Sequence, residues 1–263
     1  MISNKQIDYG NPFDWGRTSD DYALFRDIYP DEFYTHIINH DICVNGQKVL
    51  DVGTGTGVLP RNLYKYGADF IGTDISANQI SAAKRLSQKS EMNIQFYAVP
   101  TEELDFPHDS FDVITACQCF FYFNHKVVLP KLAKMLKSNG KLALLYMEWL
   151  PFEDKIAAES ERLVLKYNPK WSGANETVHP IYTPEFIYDD FSLDFSEEFL
   201  LDVPFTRESW NGRIRSCRGI GASLSENEID NWQKEHLEML QKKAAKNFTI
   251  KHYAAIKIFS VKK

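Results

Sequence analysis

The sequence predicts an α/β fold built on a mostly parallel sheet, and two observations carry that expectation. Strand-like and helix-like segments alternate from residue 48 to residue 148, a rhythm that calls for parallel strands joined by right-handed helical crossovers. The first of those strands, 48–52, is apolar at Val49, Leu50 and Val52 and runs directly into glycines at 53, 55 and 57. A helix-like stretch follows over 58–66. A strand, a glycine turn and a helix in that order bring bare backbone and a helix N-terminus against a ligand.

Within this turn Gly53 and Gly55 have no Cβ, so a nucleotide can lie on the loop itself. Thr54 lies between them. Asp51 sits inside the apolar strand, where an unpaired carboxylate is costly, so it either orients the loop or meets a cationic ligand. Two familiar glycine motifs are excluded. A phosphate-binding P-loop needs Gly-Lys followed by Ser or Thr, and Gly57-Val58 offers neither. A dinucleotide fingerprint needs glycine at 58, where Val58 stands.

The second strand, 69–73, ends at Asp74, 19 residues beyond Gly55. A carboxylate there can accept hydrogen bonds from both ribose hydroxyls of a nucleotide. The competing role is capping of the next helix, which Ser76 can perform alone. Ile75, next in the chain, is grouped with Asp74 as cofactor-binding. Segments 93–98 and 111–116 form the third and fourth strands. Ligands gather at the carboxyl ends of parallel strands, so Cys117, Gln118 and the aromatic run from Phe120 to Phe123 face the site. A helix over 125–137 ends in a Ser138-Asn-Gly140 turn, and 141–147 forms the fifth strand, closing in Glu148-Trp149.

Composition bounds the rest. The chain has 263 residues, 44% hydrophobic and 25% charged, as an ordinary globular protein does. A formal charge of −6 argues against a nucleic-acid partner. No apolar run approaches the roughly 20 residues of a membrane span, and the N-terminus lacks a signal-peptide core. The four cysteines form no CxxC pair, which implies reduced thiols rather than a metal site and places the protein in the cytoplasm.

The string DVGTGTG, an acidic residue ahead of G-x-G-x-G, resembles motif I of the class I S-adenosylmethionine-dependent methyltransferases. The resemblance runs over about residues 19–150 and takes in Asp74 and the loop before the fourth strand. It implies a Rossmann-like, seven-stranded, mostly parallel sheet with the last strand antiparallel and helices on both faces, preceded by an N-terminal helical lid. It also implies a single domain over 1–263: a cofactor-binding core at 19–150, an inserted substrate cap at 151–196, and closing strands and helices at 197–263. The cofactor implied is S-adenosylmethionine. Tyr22 and Arg26, four apart on a short helix opened by Ser19, match a Tyr-x-x-x-Arg pair that lies near the cofactor in such enzymes. Thr101 and Glu102 occupy the adenine-binding place, where Pro100-Thr101 replaces the usual Asp-Ala. The likeness is to small-molecule enzymes of the ubiquinone-biosynthesis and trans-aconitate type.

The acceptor side is read from the segments outside the repeating core. Trp15, Tyr122, Trp149 and Arg213 are expected to wall a small-molecule site. Arginines at 207, 213, 215 and 218 make one stretch locally basic; it is either a solvated helix face or a site for an anionic acceptor. A long helix entered from Ser225 and a final strand over 248–261 close the chain. No catalytic residue stands out, though Glu148 and His179 are available as bases. Two rival readings are a nicotinamide-dependent oxidoreductase, which Val58 disfavours, and a module that binds S-adenosylmethionine without turnover.

Overall fold

The computed structural model describes residues 7–263. The strands are β1 (Lys48–Val52), β2 (Asp69–Asp74), β3 (Gln95–Ala98), β4 (Phe111–Cys117), β5 (Leu136–Trp149), β6 (Phe191–Thr206) and β7 (Asn247–Val261). Among the described residues they form a seven-stranded sheet of order β3-β2-β1-β4-β5-β7-β6, mostly parallel with one antiparallel strand. The α/β reading of the alternating segments is therefore correct. β1, buried from Val49 onward, lies at the sheet's interior between β2 and β4. A strand covered on both faces is apolar rather than alternating, which is how its sequence reads apart from Asp51.

The chain divides into two compact units. One comprises residues 29–147, 179–199 and 254–263 and is here called the sheet unit. It holds α2 (Asp31–Ile38), α3 (Val58–Leu63), α4 (Ala77–Lys89), α5 (His125–Met135) and α7 (Ile187–Asp190). Its core gathers Leu50 and Val52 of β1, Ile114 of β4, Leu142 and Leu144 of β5, and Leu129 and Leu132 of α5. The other, the helical unit, comprises residues 7–28, 148–178 and 200–253. It holds α1 (Ser19–Phe25), α6 (Lys155–Tyr167), α8 (Arg207–Arg215) and α9 (Glu226–Lys243). In it α6 and α8 pack on α9, and α1 packs on α8. Residues 19–28 thus fall in the helical unit.

Local chemistry explains most element ends. The Ser76 hydroxyl accepts from Gln79 N and caps α4, as expected. Ser225 and Glu228 form a reciprocal capping box that starts α9. Asp154 starts α6 by accepting from the amides of Ile156 and Ala157. Ser19 does not cap α1; its hydroxyl donates to the Gly16 carbonyl 3.1 Å away. The expected turn at Ser138-Asn-Gly140 is a break in register instead. Phe111 pairs with Leu136 and Val113 with Lys141, so residues 137–140 bulge out of a strand that began at the end of α5.

Two glycines in the left-handed region make a matched test of the loop's packing. At Gly57 (φ +73°) a Cβ would come within 2.8 Å of the Phe96 ring, whereas at Gly46 (φ +84°) it would meet nothing within 4 Å. Gly46→Ala should cost about 1–2 kcal/mol, from backbone strain alone. Gly57→Ala should cost about 1–3 kcal/mol more, because Phe96 must shift. Urea denaturation of both variants checks the difference.

Candidate functional site

The glycine loop of the sheet unit is held by hydrogen bonds at nearly every step. Thr54 N donates to the Thr73 carbonyl (2.8 Å) and Gly57 N to the Thr54 carbonyl (2.9 Å). Gly55 N donates to Asp74 Oδ2 (2.9 Å), while Asp74 Oδ1 accepts from Ser76 N (2.8 Å). Asp74 therefore bridges the loop and the start of α4. Burial raises its carboxyl above the ordinary range, and these two amides oppose the rise. Gly53, Gly55 and Gly57 all have positive φ, at 64°, 56° and 73°. A Cβ at Gly53 would lie 2.7 Å from the Cys119 side chain, so packing there also calls for glycine. The Cys119 thiol in turn donates to the Val52 carbonyl (3.0 Å).

Asp51 lies below the loop, 1% exposed, and Thr115 donates to its Oδ1 at 2.6 Å. The β1–β4 register sets Asp51 directly beside Thr115, a partner the sequence reading missed. The signal was available: Thr115 is the polar interruption of Phe111–Cys117, as Asp51 is of Lys48–Val52. Burial pushes the Asp51 carboxyl up to about 6, against the Thr115 hydrogen bond.

The remaining sheet-unit residues flank this loop in the chain and in the sheet. Ile75, directly after Asp74, is 56% exposed, an apolar side chain with no core to serve. Thr101 is buried, and the Glu102 carboxylate accepts from Asn124 N (2.9 Å), tying the segment after β3 to the start of α5. The Cys117 thiol donates to Tyr29 Oη (3.4 Å). Gln118 has φ +63°; its backbone N–H bonds to the Leu145 carbonyl and its side-chain amide to that of Met147. The aromatic run divides by burial. Phe120 is in the core and Phe123 packs against it. Phe121 is 45% exposed and lies 4.3 Å, centroid to centroid, from Tyr122. Tyr146 follows at 6.3 Å from Phe121 and His179 at 6.2 Å from Tyr146.

The other expected site residues lie in the helical unit. Arg26 donates to Tyr22 Oη (2.9 Å) and its guanidinium lies 4.5 Å over the Tyr22 ring, so the i, i+4 pair shares a face as expected. Trp15 stands edge-on to Tyr22 at 5.9 Å. Trp149 is buried against Trp171 and Trp210, and its Nε1–H donates to Glu161 (2.7 Å). Burial pushes the Glu161 carboxyl up to about 7. Arg213 is 1% exposed, lies 4.7 Å over the Trp149 ring and donates from Nη2 to Glu148 Oε1 (3.1 Å).

The solvated-face reading of the arginine stretch is wrong. Arg218 pairs with Asp8 (2.7 Å), Arg215 with Asp21 (2.5 Å) and Arg213 with Glu148. Arg207 bonds the carbonyls that follow α9. Each guanidinium meets an acceptor that is distant in sequence, which a local charge count cannot reveal. Ser160, His236 and Asn211 line up as a hydrogen-bonded trio in the same unit (2.9 and 2.8 Å). Ser160 also bonds Trp210 and the Ile156 carbonyl, and Ser160 and His236 are wholly buried. The trio is a structural clamp between α6, α8 and α9.

A family model described as a methyltransferase domain matches residues 50–144. The chain is 32% identical over 172 residues to a ubiquinone biosynthesis O-methyltransferase of Bradyrhizobium diazoefficiens, covering 64% of this chain and 66% of that protein. It is 30% identical over 176 residues to the enzyme of the same name from another Bradyrhizobium species, covering 64% and 67%. The chain belongs to the class I S-adenosylmethionine-dependent methyltransferases. It spans about two thirds of the length of those two methyltransferases, and 51% of a third, from Rhodopseudomonas palustris. The YcgJ protein of Bacillus subtilis shares the methyltransferase fold seen here, with a TM-score of 0.53 at 20% identity over 89% of this chain and 99% of that one.

The cofactor of this methyltransferase family is S-adenosylmethionine, and the sheet unit's residues fit its adenosine half. They offer a carboxylate at the end of β2, an exposed apolar side chain next to it and a left-handed glycine loop alongside. The Asp51 titration supplies a test of the loop's foundation. Its pKa is raised, so folded protein keeps a proton that unfolded chain releases near pH 4. Stability from this group is full below that pH and is lost as pH rises through about 6. Asp51→Asn keeps an acceptor for Thr115 and removes the titration. Relative to wild type it should gain on the order of 3 kcal/mol between pH 4 and pH 7. Denaturation midpoints across that range check it.

Proposed function

We propose that this chain transfers the methyl group of S-adenosylmethionine to a small-molecule acceptor. The observation that carries the proposal is the Asp74 bridge. It sets a carboxylate at the carboxyl end of β2 beside the glycine loop, where ribose hydroxyls can donate to its remaining lone pairs. Gly53, Thr54 and Gly55 form the loop wall, Ile75 offers an apolar surface to adenine, and Thr101 and Glu102 stand at the adenine end. Cys117 and Gln118 lie at the end of β4.

The nicotinamide alternative is disfavoured by the same loop. A dinucleotide's pyrophosphate needs open amides at a helix N-terminus. Here the amides of Thr54, Gly55 and Gly57 are already spent within the protein, and Pro60 removes another from the first turn of α3. S-adenosylmethionine carries no phosphate and needs none of them.

When bound, S-adenosylmethionine supplies an electrophilic methyl on a positively charged sulfur. The protein's part is then approach geometry and exclusion of water. Aromatic side chains suit that task, and Tyr122 with Phe121 is the pair proposed for it. The relatives' name points to oxygen as the methylated atom, and an oxygen acceptor with a high pKa would require a base. Among the described residues no helix is long and apolar enough to cross a membrane. Cys43, Cys117, Cys119 and Cys217 are free thiols, which supports a reducing cytoplasm.

Calorimetric titration with S-adenosylhomocysteine, NAD and NADP tests the cofactor. S-adenosylhomocysteine should bind and the two nicotinamides should not; the reverse order would refute the proposal. Asp74→Ala should weaken S-adenosylhomocysteine binding by about 1–3 kcal/mol, roughly 5- to 150-fold, because two ribose hydroxyls lose their acceptor. Unchanged affinity in a folded variant would remove Asp74 from the ribose site. Transfer of labelled methyl from S-adenosylmethionine to a panel of small acceptors, with none transferred to any, would leave binding without turnover.

A further inference from the structure

Arg213 is the most conspicuous polar group that the fold leaves unfinished. It is buried in the helical unit, yet only Nη2 has a hydrogen-bond partner, Glu148. Nε and Nη1 have none. A guanidinium is always charged and carries five N–H donors in a rigid plane, and buried donors of this kind are almost always paired. The Trp149 ring covers one face at 4.7 Å, which leaves the edge of the plane as the direction of recognition. The other arginines of the stretch are different. Arg215 has both oxygens of Asp21, at 2.7 and 2.5 Å, and Arg218 has Asp8.

We infer that the helical unit carries a carboxylate-binding site built on the unpartnered Nε and Nη1 groups of Arg213.

The chemistry selects the ligand class. A planar guanidinium edge matches a planar oxyanion, carboxylate or phosphate, with two parallel hydrogen bonds. The surrounding charge then discriminates. Arg26 and Arg213 are set against Glu148 and Glu176, which act on one another through the same interior. With carboxylates at least as numerous as guanidiniums in this interior, a dianion would be costlier to bury than a monoanion. A monocarboxylate is the fitting ligand. Trp149 beside the guanidinium favours an acid with an aromatic or otherwise apolar body.

The test uses benzoate and inorganic phosphate as probes on the full chain saturated with S-adenosylhomocysteine. Benzoate should bind saturably in calorimetry, and phosphate at least tenfold more weakly. Arg213→Lys keeps a cation opposite Glu148 but loses the planar fork, and should weaken benzoate at least tenfold while S-adenosylhomocysteine still binds. Arg215→Lys should leave benzoate binding unchanged. A direct readout is the Arg213 Nε–H resonance, identified as the one missing in Arg213→Lys, which should shift as benzoate saturates. An unmoved resonance, equal benzoate affinity in Arg213→Lys, stronger phosphate than benzoate, or competition between benzoate and S-adenosylhomocysteine would each overturn the proposal. Failure of S-adenosylhomocysteine to bind, with benzoate still dependent on Arg213, would overturn the methyltransferase reading and leave the carboxylate site standing.

Discussion

The carboxylate of Asp74 and the backbone on either side of it fix four pieces of chain at one point. One oxygen holds Gly55 of the loop, the other holds Ser76 at the start of α4, and the Asp74 carbonyl accepts from Val99 after β3. Removing this one side chain frees Gly55 from β2. The loop then depends on Thr54 N–Thr73 O and on Asp51 beneath it. A site built this way is stiff before any ligand arrives, and preorganisation of that kind lowers the entropy lost on binding.

Charge in the helical unit obeys a different constraint. Four arginines fall within twelve residues of chain, 207–218, and three of them are drawn to carboxylates that lie far off in sequence: Asp8, Asp21 and Glu148. Burying such ions is tolerated only with good partners. Arg215 and Arg218 meet that condition, whereas Arg213 meets it with one nitrogen of three. The unit's aromatic and hydrogen-bonded interior, from Trp149 through Trp210 to the Ser160–His236 clamp, holds that residue in place.

Much of the sheet unit was legible in the sequence because its signals are local. DVGTGTG follows an apolar strand, Ser76 caps the helix it precedes, and the alternation of strands and helices dictates a parallel sheet. What was not legible depends on register and on long-range pairing. Thr115 became part of the site only once β4 was placed beside β1. The packing of Cys119 against Gly53 was equally hidden. Residues 138–140 carry a turn signal, yet the strand absorbs them as a bulge. The arginine stretch reads as a solvated face because no sequence pattern announces that Glu148, 65 residues earlier, will meet Arg213. The division into units was equally hidden, since Tyr22 and Arg26 precede the core in sequence but fold with segments 148–178 and 200–253.

A crystal structure with S-adenosylhomocysteine bound measures the central claim most directly. Both ribose hydroxyls should lie within about 3 Å of the Asp74 oxygens, with Gly55 N and Ser76 N still bonded to that carboxylate and the adenine against Ile75. A nucleoside seated away from the end of β2, or an Asp74 that abandons Gly55 without meeting the ribose, would contradict the account.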